Sequence, residues 1–260
     1  EPILPNTLKE YIGADTTENF YNQYAKKTNI KFNAVINDYR LRNAALRDYL
    51  SKNPNTFLKT HAAFHYRDNI PYFDPGITGI FIYLIRDPRD ILISSAHHNL
   101  GSPIFEKNKI GANGLVGAQE LEFIFNSMSN IKQALTMPSG IQTHLGAWDD
   151  HVNSFKQVSN RLHIIKYEEL VSNTNQCVTS LIKRITGKYD QQRIALAIKN
   201  SDFSKLSEYE KNNGFNENLS KHAHFFREGK VGAWKNYSDR TVFSKIEDRF
   251  GVTMKEHGYL

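Results

Sequence analysis

Cysteine is nearly absent: Cys177 stands alone among 260 residues. One thiol can form no internal disulfide and supplies no cysteine-built metal site; it fits a reducing compartment and reads as a small core residue. Long apolar runs are missing as well. None approaches the ~20 residues of a membrane span, and the opening Glu1-Pro2-Ile3-Leu4-Pro5 lacks the basic and apolar regions of a signal peptide. A soluble, cytoplasmic protein is therefore expected. There is no initiating methionine, which raises the expectation of sequence upstream of Glu1. Repeats, low-complexity tracts and linkers are lacking, so residues 1–260 read as one domain. A strong excess of one sign of charge is lacking too: 33 basic residues against 27 acidic ones leave a net +6 spread along the chain. Without a basic stripe, a nucleic-acid partner is not expected, and a small anion suffices to explain the excess.

What is present is organised around Ile80-Phe81-Ile82-Tyr83-Leu84-Ile85-Arg86-Asp87-Pro88-Arg89-Asp90-Ile91-Leu92-Ile93-Ser94. The apolar, β-branched run reads as a buried strand ending at Arg86. Asp87 then caps a helix with Pro88 at its first position and Asp90 in its first turn, where a carboxylate suits the dipole. Ser94 follows about two turns into that helix. A guanidinium, free amides and a hydroxyl so placed suit a phosphate, although a surface ion-pair network explains them equally well.

Before this stretch, residues 1–50 carry apolar positions at helical spacing and read as packing helices, up to a break at Asn53-Pro54-Asn55. Thr56-Phe57-Leu58-Lys59-Thr60-His61 is a short strand candidate, and 62–79 reads as an aromatic loop lining a pocket. After it, 100–117 reads as a lid or substrate loop, and 118–135 as a helix ended by Pro138-Ser139-Gly140. A further helix is expected over 148–155, and Leu162-His163-Ile164-Ile165-Lys166-Tyr167 is a third strand candidate. Helices are expected over 174–185, 191–199 and 242–250, with a flexible polar run over 212–219. Strands separated by helices predict an α/β fold with a parallel sheet. The adjacent His97 and His98 do not share a helix face, so they make no metal pair.

In an open parallel sheet ligands bind outside the carboxyl ends of the strands. Lys59-Thr60-His61, Arg86 and Tyr167 would thus share one crevice, and His61, which alone reads more readily as a structural histidine, becomes a candidate base beside an anion.

Five short pieces in this order resemble the sulfotransferases that use 3′-phosphoadenosine 5′-phosphosulfate (PAPS). They are Leu58-Lys59-Thr60-His61, Leu84–Asp90 with Ser94, Lys166-Tyr167-Glu168-Glu169-Leu170, Ser201-Asp202-Phe203, and Phe226-Arg227-Glu228-Gly229-Lys230-Val231-Gly232-Ala233-Trp234-Lys235-Asn236. The resemblance implies a P-loop-type three-layer sandwich with a central parallel sheet flanked by helices. It implies His61 as general base toward a hydroxyl, or an amine, of a small-molecule acceptor, with Lys59 neutralising the transferring group. Arg86, Ser94, Arg227 and the Gly229 backbone would hold the 3′-phosphate, and Tyr167, Ser201 and Phe203 the adenosine. The product would be 3′-phosphoadenosine 5′-phosphate (PAP), and no metal is required by these residues. In-line sulfuryl transfer, like phosphoryl transfer, needs alignment, charge neutralisation and a base.

The family's Tyr-Pro-Lys-Ser-Gly-Thr-like phosphosulfate loop has no counterpart; Pro138-Ser139-Gly140 comes too late in the order. The first strand and its loop are expected upstream of Glu1; a degenerate, non-catalytic nucleotide-binding protein is the alternative, and a P-loop nucleotide kinase a more distant one. Glu228 stands where many members place a basic residue. Thr241-Val242 followed by Glu247 is one residue too long for the family's dimer-forming segment, so no dimer is inferred.

Overall fold

The computed structural model describes residues 14–53, 56–136, 142–215, 218, 220 and 222–260. The sequence features at Glu1–Pro5, Pro54-Asn55 and Pro138-Ser139-Gly140, and part of the polar run over 212–219, lie outside them. The described residues fall into two compact units, one within 14–81 and 131–162, the other within 82–130 and 163–260.

In the first unit, α1 (Ala14–Thr28), α2 (Phe32–Asn37) and α3 (Tyr39–Lys52) are the helices that the spacing predicts. Asp38 ends α2 and caps α3, its Oδ1 accepting from the Arg40 N–H at 2.8 Å. The apolar stripe positions Phe20, Tyr21, Ala25, Val35, Ile36, Ala45 and Leu46 close a core between the helices. No strand forms at Thr56–His61, contrary to expectation. Thr60 Oγ1 instead accepts from the Ala62 N–H at 3.0 Å, a local turn that competes with strand pairing. The aromatic stretch over 62–79 contains a hairpin, β1 (Tyr66–Arg67) with β2 (Ile70–Pro71). Its two turn residues, Asp68 and Asn69, have φ of 51° and 62°, the left-handed pair that a tight hairpin demands and short polar side chains tolerate.

Behind the hairpin lies a buried polar cluster. Arg42, 3% exposed, donates from Nη2 to the Tyr72 hydroxyl at 2.6 Å, with its guanidinium 5.3 Å from the Tyr21 ring centre. The Tyr39 hydroxyl lies 2.5 Å from His65 Nε2, and His65 Nδ1 lies 2.8 Å from the Ala63 carbonyl. A neutral His65 that donates from Nδ1 and accepts at Nε2 satisfies both contacts. Burial holds its pKa below the ordinary histidine value.

In the second unit, β3 (Phe81–Ile85) stops before Arg86 and α4 (Pro88–Asn99) begins as predicted, with Asp87 Oδ1 accepting from the Arg89 N–H at 2.9 Å. The strand is buried on one face only. Ile82 and Leu84, which alternate with buried Phe81 and Ile85, are 38% and 55% exposed, so the expectation of a fully buried strand is corrected. Leu92, Ile93 and Ala96 form the buried stripe of α4, continued by buried Leu100 just past its end. The expected lid over 100–117 is packed: it holds α5 (Pro103–Lys107), buries Phe105 and Ile110, and is tied down by Glu120 on α6 (Ala118–Met128). The buried Glu120 carboxylate accepts from the Gly111 and Gly117 N–H groups at 2.8 and 2.9 Å. Helix α6 ends earlier than predicted, at Met128.

The chain then returns to the first unit with an unpredicted antiparallel pair, β4 (Ala134–Thr136) and β5 (Gln142–His144), followed by α7 (Trp148–Ser154) and a 3-10 turn over Phe155–Arg161. Next comes β6 (Leu162–Lys166), the hydrogen-bonded neighbour of β3. These two strands are distant in sequence and parallel, with the intervening chain as crossover, which gives the α/β class. After β6 come α8 (Tyr167–Ser172), α9 (Thr174–Thr186), α10 (Gln191–Asn200), α11 (Phe203–Asn213) and α12 (Thr241–Glu256). Helix α12 buries Phe243, Ile246, Phe250 and Met254 and packs with α4 and α6. Cys177 is only half-buried on α9 rather than a core residue. No helix among the described residues is long and apolar enough to cross a membrane.

Candidate functional site

The end of β3 delivers Arg86 to the surface of the second unit, where its guanidinium carbon lies 4.3 Å from the centre of the Tyr167 ring. Tyr167 is there because β6 ends at Lys166 and α8 starts at once. A cation on an aromatic face gains electrostatic attraction while its N–H edge stays available. Arg86 Nη2 donates to the Lys230 carbonyl at 3.0 Å, and its buried Nε has no hydrogen-bond partner among the described residues.

Lys230 belongs to the Gly-punctuated segment 225–234, which buried carboxylates hold at both ends. Glu210 on α11, 4% exposed, accepts from the N–H groups of Phe225 at 2.6 Å and Phe226 at 2.8 Å. Asp90, 1% exposed, accepts from Gly232 at 2.6 Å and Trp234 at 3.1 Å. Each acid replaces lost water with directed donors, which is what a buried carboxylate requires. Between the clamps, Gly229 has φ of 62°, and a Cβ there would lie 2.6 Å from the Phe203 ring. Only glycine combines this backbone with so close an approach. Phe203, at the start of α11, stays 38% exposed and packs edge-on against Phe226 at 6.3 Å.

Arg227 pairs with Glu228, both side chains partly exposed. His97, in the last turn of α4, feels both charges, and burial lowers its pKa. Asp90, Ser94 and His97 follow one another at i, i+4 and i+7 on α4, so the exposed Ser94 shares the face that meets the segment. Ser201 is exposed at the carboxyl end of α10, one residue before Asp202, which caps α11.

A separate network fixes the turn behind Arg86. Arg89 is buried, forks onto the Asp87 carboxylate with Nη2–Oδ2 at 2.7 Å, donates to Glu247 at 2.6 Å and to the Tyr259 carbonyl at 2.7 Å, and lies 3.8 Å from the Trp234 ring centre. Glu168 accepts from the Asp87 N–H at 3.0 Å and the Tyr259 hydroxyl at 3.1 Å, and burial with the nearby carboxylate drives the Tyr259 pKa upward. An open cavity of about 400 Å³ beside this network is lined by Asp87, Arg89, Glu168, Trp234, Lys235 and Tyr259, not by Arg86, Ser94, Phe203 or Arg227. Its acids and its arginine neutralise one another; Arg86 and Arg227, both partly exposed, lie outside it, Arg86 with Nη2 4.0 Å from the Asp90 carboxylate and Arg227 paired with Glu228.

The Sulfotransferase domain family model matches residues 41–258. The chain belongs to this family. Among curated sulfotransferases, it is 28% identical to the 3-beta-hydroxysteroid sulfotransferase of Cavia porcellus over 60% of this chain and 49% of that protein. It is 25% identical to that animal's 3-alpha-hydroxysteroid sulfotransferase over 64% of this chain and 53% of that one. It thus spans about half the length of the curated relatives that it matches. Of solved structures, mouse sulfotransferase SULT7A1 complexed with PAP aligns with a TM-score of 0.56 at 20% identity, over 80% of this chain and 69% of the other. A retinol dehydratase in complex with retinol and PAP aligns with a TM-score of 0.55 at 20% identity, over 81% and 57%. At such identities these structures establish the fold.

In this sulfotransferase-family chain the second unit brings together Arg86, Tyr167, Phe203 and Gly229 through the segment that also carries Arg227. Lys59 and His61 belong to the first unit, Lys59 half-buried and His61 exposed. The His61 carbonyl lies 3.2 Å from His151 Nε2, which fixes the backbone behind the exposed ring. Glu247, the acid of the loosely matching dimer segment, is engaged by Arg89. Sequence reasoning missed Glu210 and assigned Asp90 only to the helix dipole. A carboxylate seven residues into α11 carries no local signal that it will meet amides beyond Gly214.

Proposed function

We propose that this chain, as one sulfotransferase domain over 1–260, transfers a sulfuryl group from PAPS to a hydroxyl, or less favourably an amine, of a small-molecule acceptor in the cytoplasm. The observation that carries the reading is the convergence of Arg86, Tyr167 and the Gly229–Phe203 contact, drawn from separate stretches of sequence onto one clamped segment. The donor set fits an anionic nucleotide: Arg86 is partly exposed with an unpartnered buried Nε, and the exposed Phe203 ring of α11 abuts Gly229 on the clamped segment. Arg86, Ser94, Arg227 and the Gly229 backbone hold the 3′-phosphate in this reading, and Tyr167, Ser201 and Phe203 the adenosine.

When bound, PAPS supplies the activated sulfuryl group. In this reading His61 accepts the acceptor's hydroxyl proton, and Lys59 places an ammonium against the charge on the transferring group. No covalent enzyme intermediate is needed. The relatives named for hydroxysteroids are consistent with an alcohol acceptor. The second reading, nucleotide binding without transfer, rests on one observation, that no Tyr-Pro-Lys-Ser-Gly-Thr-like run occurs within residues 1–260.

Calorimetry with PAP tests the binding half of the proposal, using the full-length protein with any native sequence upstream of Glu1, beside its Arg86→Ala form. Micromolar or tighter binding, weakened at least tenfold by Arg86→Ala, is expected. Labelled PAPS with a panel of phenols and alcohols tests transfer. Activity lost in His61→Ala while PAP binding persists supports the assigned base; binding with no transfer to any acceptor favours the second reading. No PAP binding at all defeats both.

A further inference from the structure

Arg227 is a phosphate ligand in the proposed function, and the role of its neighbour Glu228 rests on that reading. The Arg227 Nη1 donates to Oε1 of the adjacent Glu228, so the guanidinium already holds an anion. The backbone carrying this pair has little freedom. Glu210 holds Phe225 and Phe226, Asp90 holds Gly232 and Trp234, Arg86 holds the Lys230 carbonyl, and the Phe203 ring abuts Gly229. The free variable is the Glu228 side chain, which is 35% exposed. His97 on α4 and Tyr237 feel both charges of the pair, and neither is a permanent cation able to draw Glu228 off Arg227.

We infer that Glu228 is an internal stand-in for the 3′-phosphate: it occupies Arg227 while the nucleotide is absent and swings away when a phosphate arrives. A phosphate monoester carries about −1.5 to −2 charges and three acceptor oxygens, so it outcompetes a single carboxylate for a guanidinium. The exchange still costs the existing pair and leaves a like charge close to the incoming group. Glu228 thereby sets a ceiling on affinity for 3′-phosphorylated nucleotides and retakes Arg227 as they depart. Its action falls on the 3′-phosphate, because the group it occupies is Arg227, the ligand assigned to that phosphate.

Calorimetry with PAP and with adenosine 5′-monophosphate, on the full-length protein and its Glu228→Gln and Glu228→Lys forms, tests this. Glu228→Gln is expected to tighten PAP by about two- to fivefold, the upper range for a partly exposed charge contact, and Glu228→Lys by more, with adenosine 5′-monophosphate changed less than twofold. Unchanged or weaker PAP binding by Glu228→Gln, in a protein whose Arg86→Ala form loses PAP, overturns the role of Glu228 and leaves the nucleotide reading standing. An equal gain for both nucleotides also overturns it, since the effect is then general charge. Failure of every form to bind PAP removes the nucleotide reading itself, and the stand-in role with it.

Discussion

The carboxylate of Asp90, in the first turn of α4, accepts a hydrogen bond from the backbone N–H of Gly232 at 2.6 Å. With Trp234 at 3.1 Å on its other oxygen, the acid joins the strand-helix turn to the glycine-rich segment 142 residues later in sequence. Leaving buried donors unpaired costs about 1–3 kcal/mol each. Asp90→Ala is therefore expected to destabilise the protein by about 2–4 kcal/mol in urea unfolding and to weaken PAP binding more than tenfold. Stability within about 1 kcal/mol of the parent would show that the segment is held by other means.

Gly229 and Phe203 are expected to behave as one unit. Gly229→Ala puts a methyl group into the Phe203 ring and strains a backbone with φ of 62°. A loss of about 1–3 kcal/mol is expected from the strain, together with a further loss in PAP affinity. In the double variant Gly229→Ala/Phe203→Ala the steric part disappears and only the backbone part remains. A double-mutant cycle on thermal unfolding reads the coupling, and purely additive effects would contradict the contact.

Arg89 anchors the turn behind Arg86. Removing it strands the buried Asp87 carboxylate and releases Glu247 and the Tyr259 carbonyl. Arg89→Ala is expected to cost about 3–5 kcal/mol, the range for breaking a buried ion pair. Glu247→Gln, which keeps a hydrogen-bond acceptor at the more exposed partner, is expected to cost less than half as much in the same denaturant titration.

Acid should loosen the first unit through His65. Burial lowers its folded pKa beneath the ordinary value of 6.5, with His144, Arg67 and Arg42 opposing a positive charge and the Ala63 carbonyl favouring it. The unfolded chain therefore takes up the proton first as pH falls. The stability contribution is fully present above pH 6.5 and declines from there toward the lower folded pKa. His97, His151 and His163 are lowered by burial too and act in the same direction. Denaturant midpoints compared at about pH 7.5 and about pH 5.5, on either side of the histidine range, should drop less for His65→Gln than for the parent. An equal drop would assign the effect to the other histidines.

The strand-to-helix turn at Arg86 is legible in the sequence because its signals are local: an apolar run, a capping Asp, a proline at the first helical position. The long helices are legible for the same reason. Thr56–His61 misleads because Thr60 turns its hydroxyl onto its own backbone, a choice that propensity does not record. The pairing of β4 with β5 escapes notice because apolar spacing at 118–135 satisfies a helix until the chain turns at Ser129-Asn130. In the candidate site, charged and aromatic members announce themselves by type and order, whereas the acids that position them do so through amides 15 to 144 residues away, which leave no trace in pattern.

Because Glu210 and Asp90 grip peptide N–H groups, the segment 225–234 is fastened by atoms that every residue except proline possesses. Its exposed side chains take no part in that attachment, and its fixed requirements are the two distant acids, the glycines Gly229 and Gly232 with φ of 62° and 75°, and the buried Trp234 ring against Arg89. A library randomised over Arg227, Glu228 and Val231 would keep the loop's path while rewriting what it displays, so that recognition can be retuned here without redesigning the scaffold.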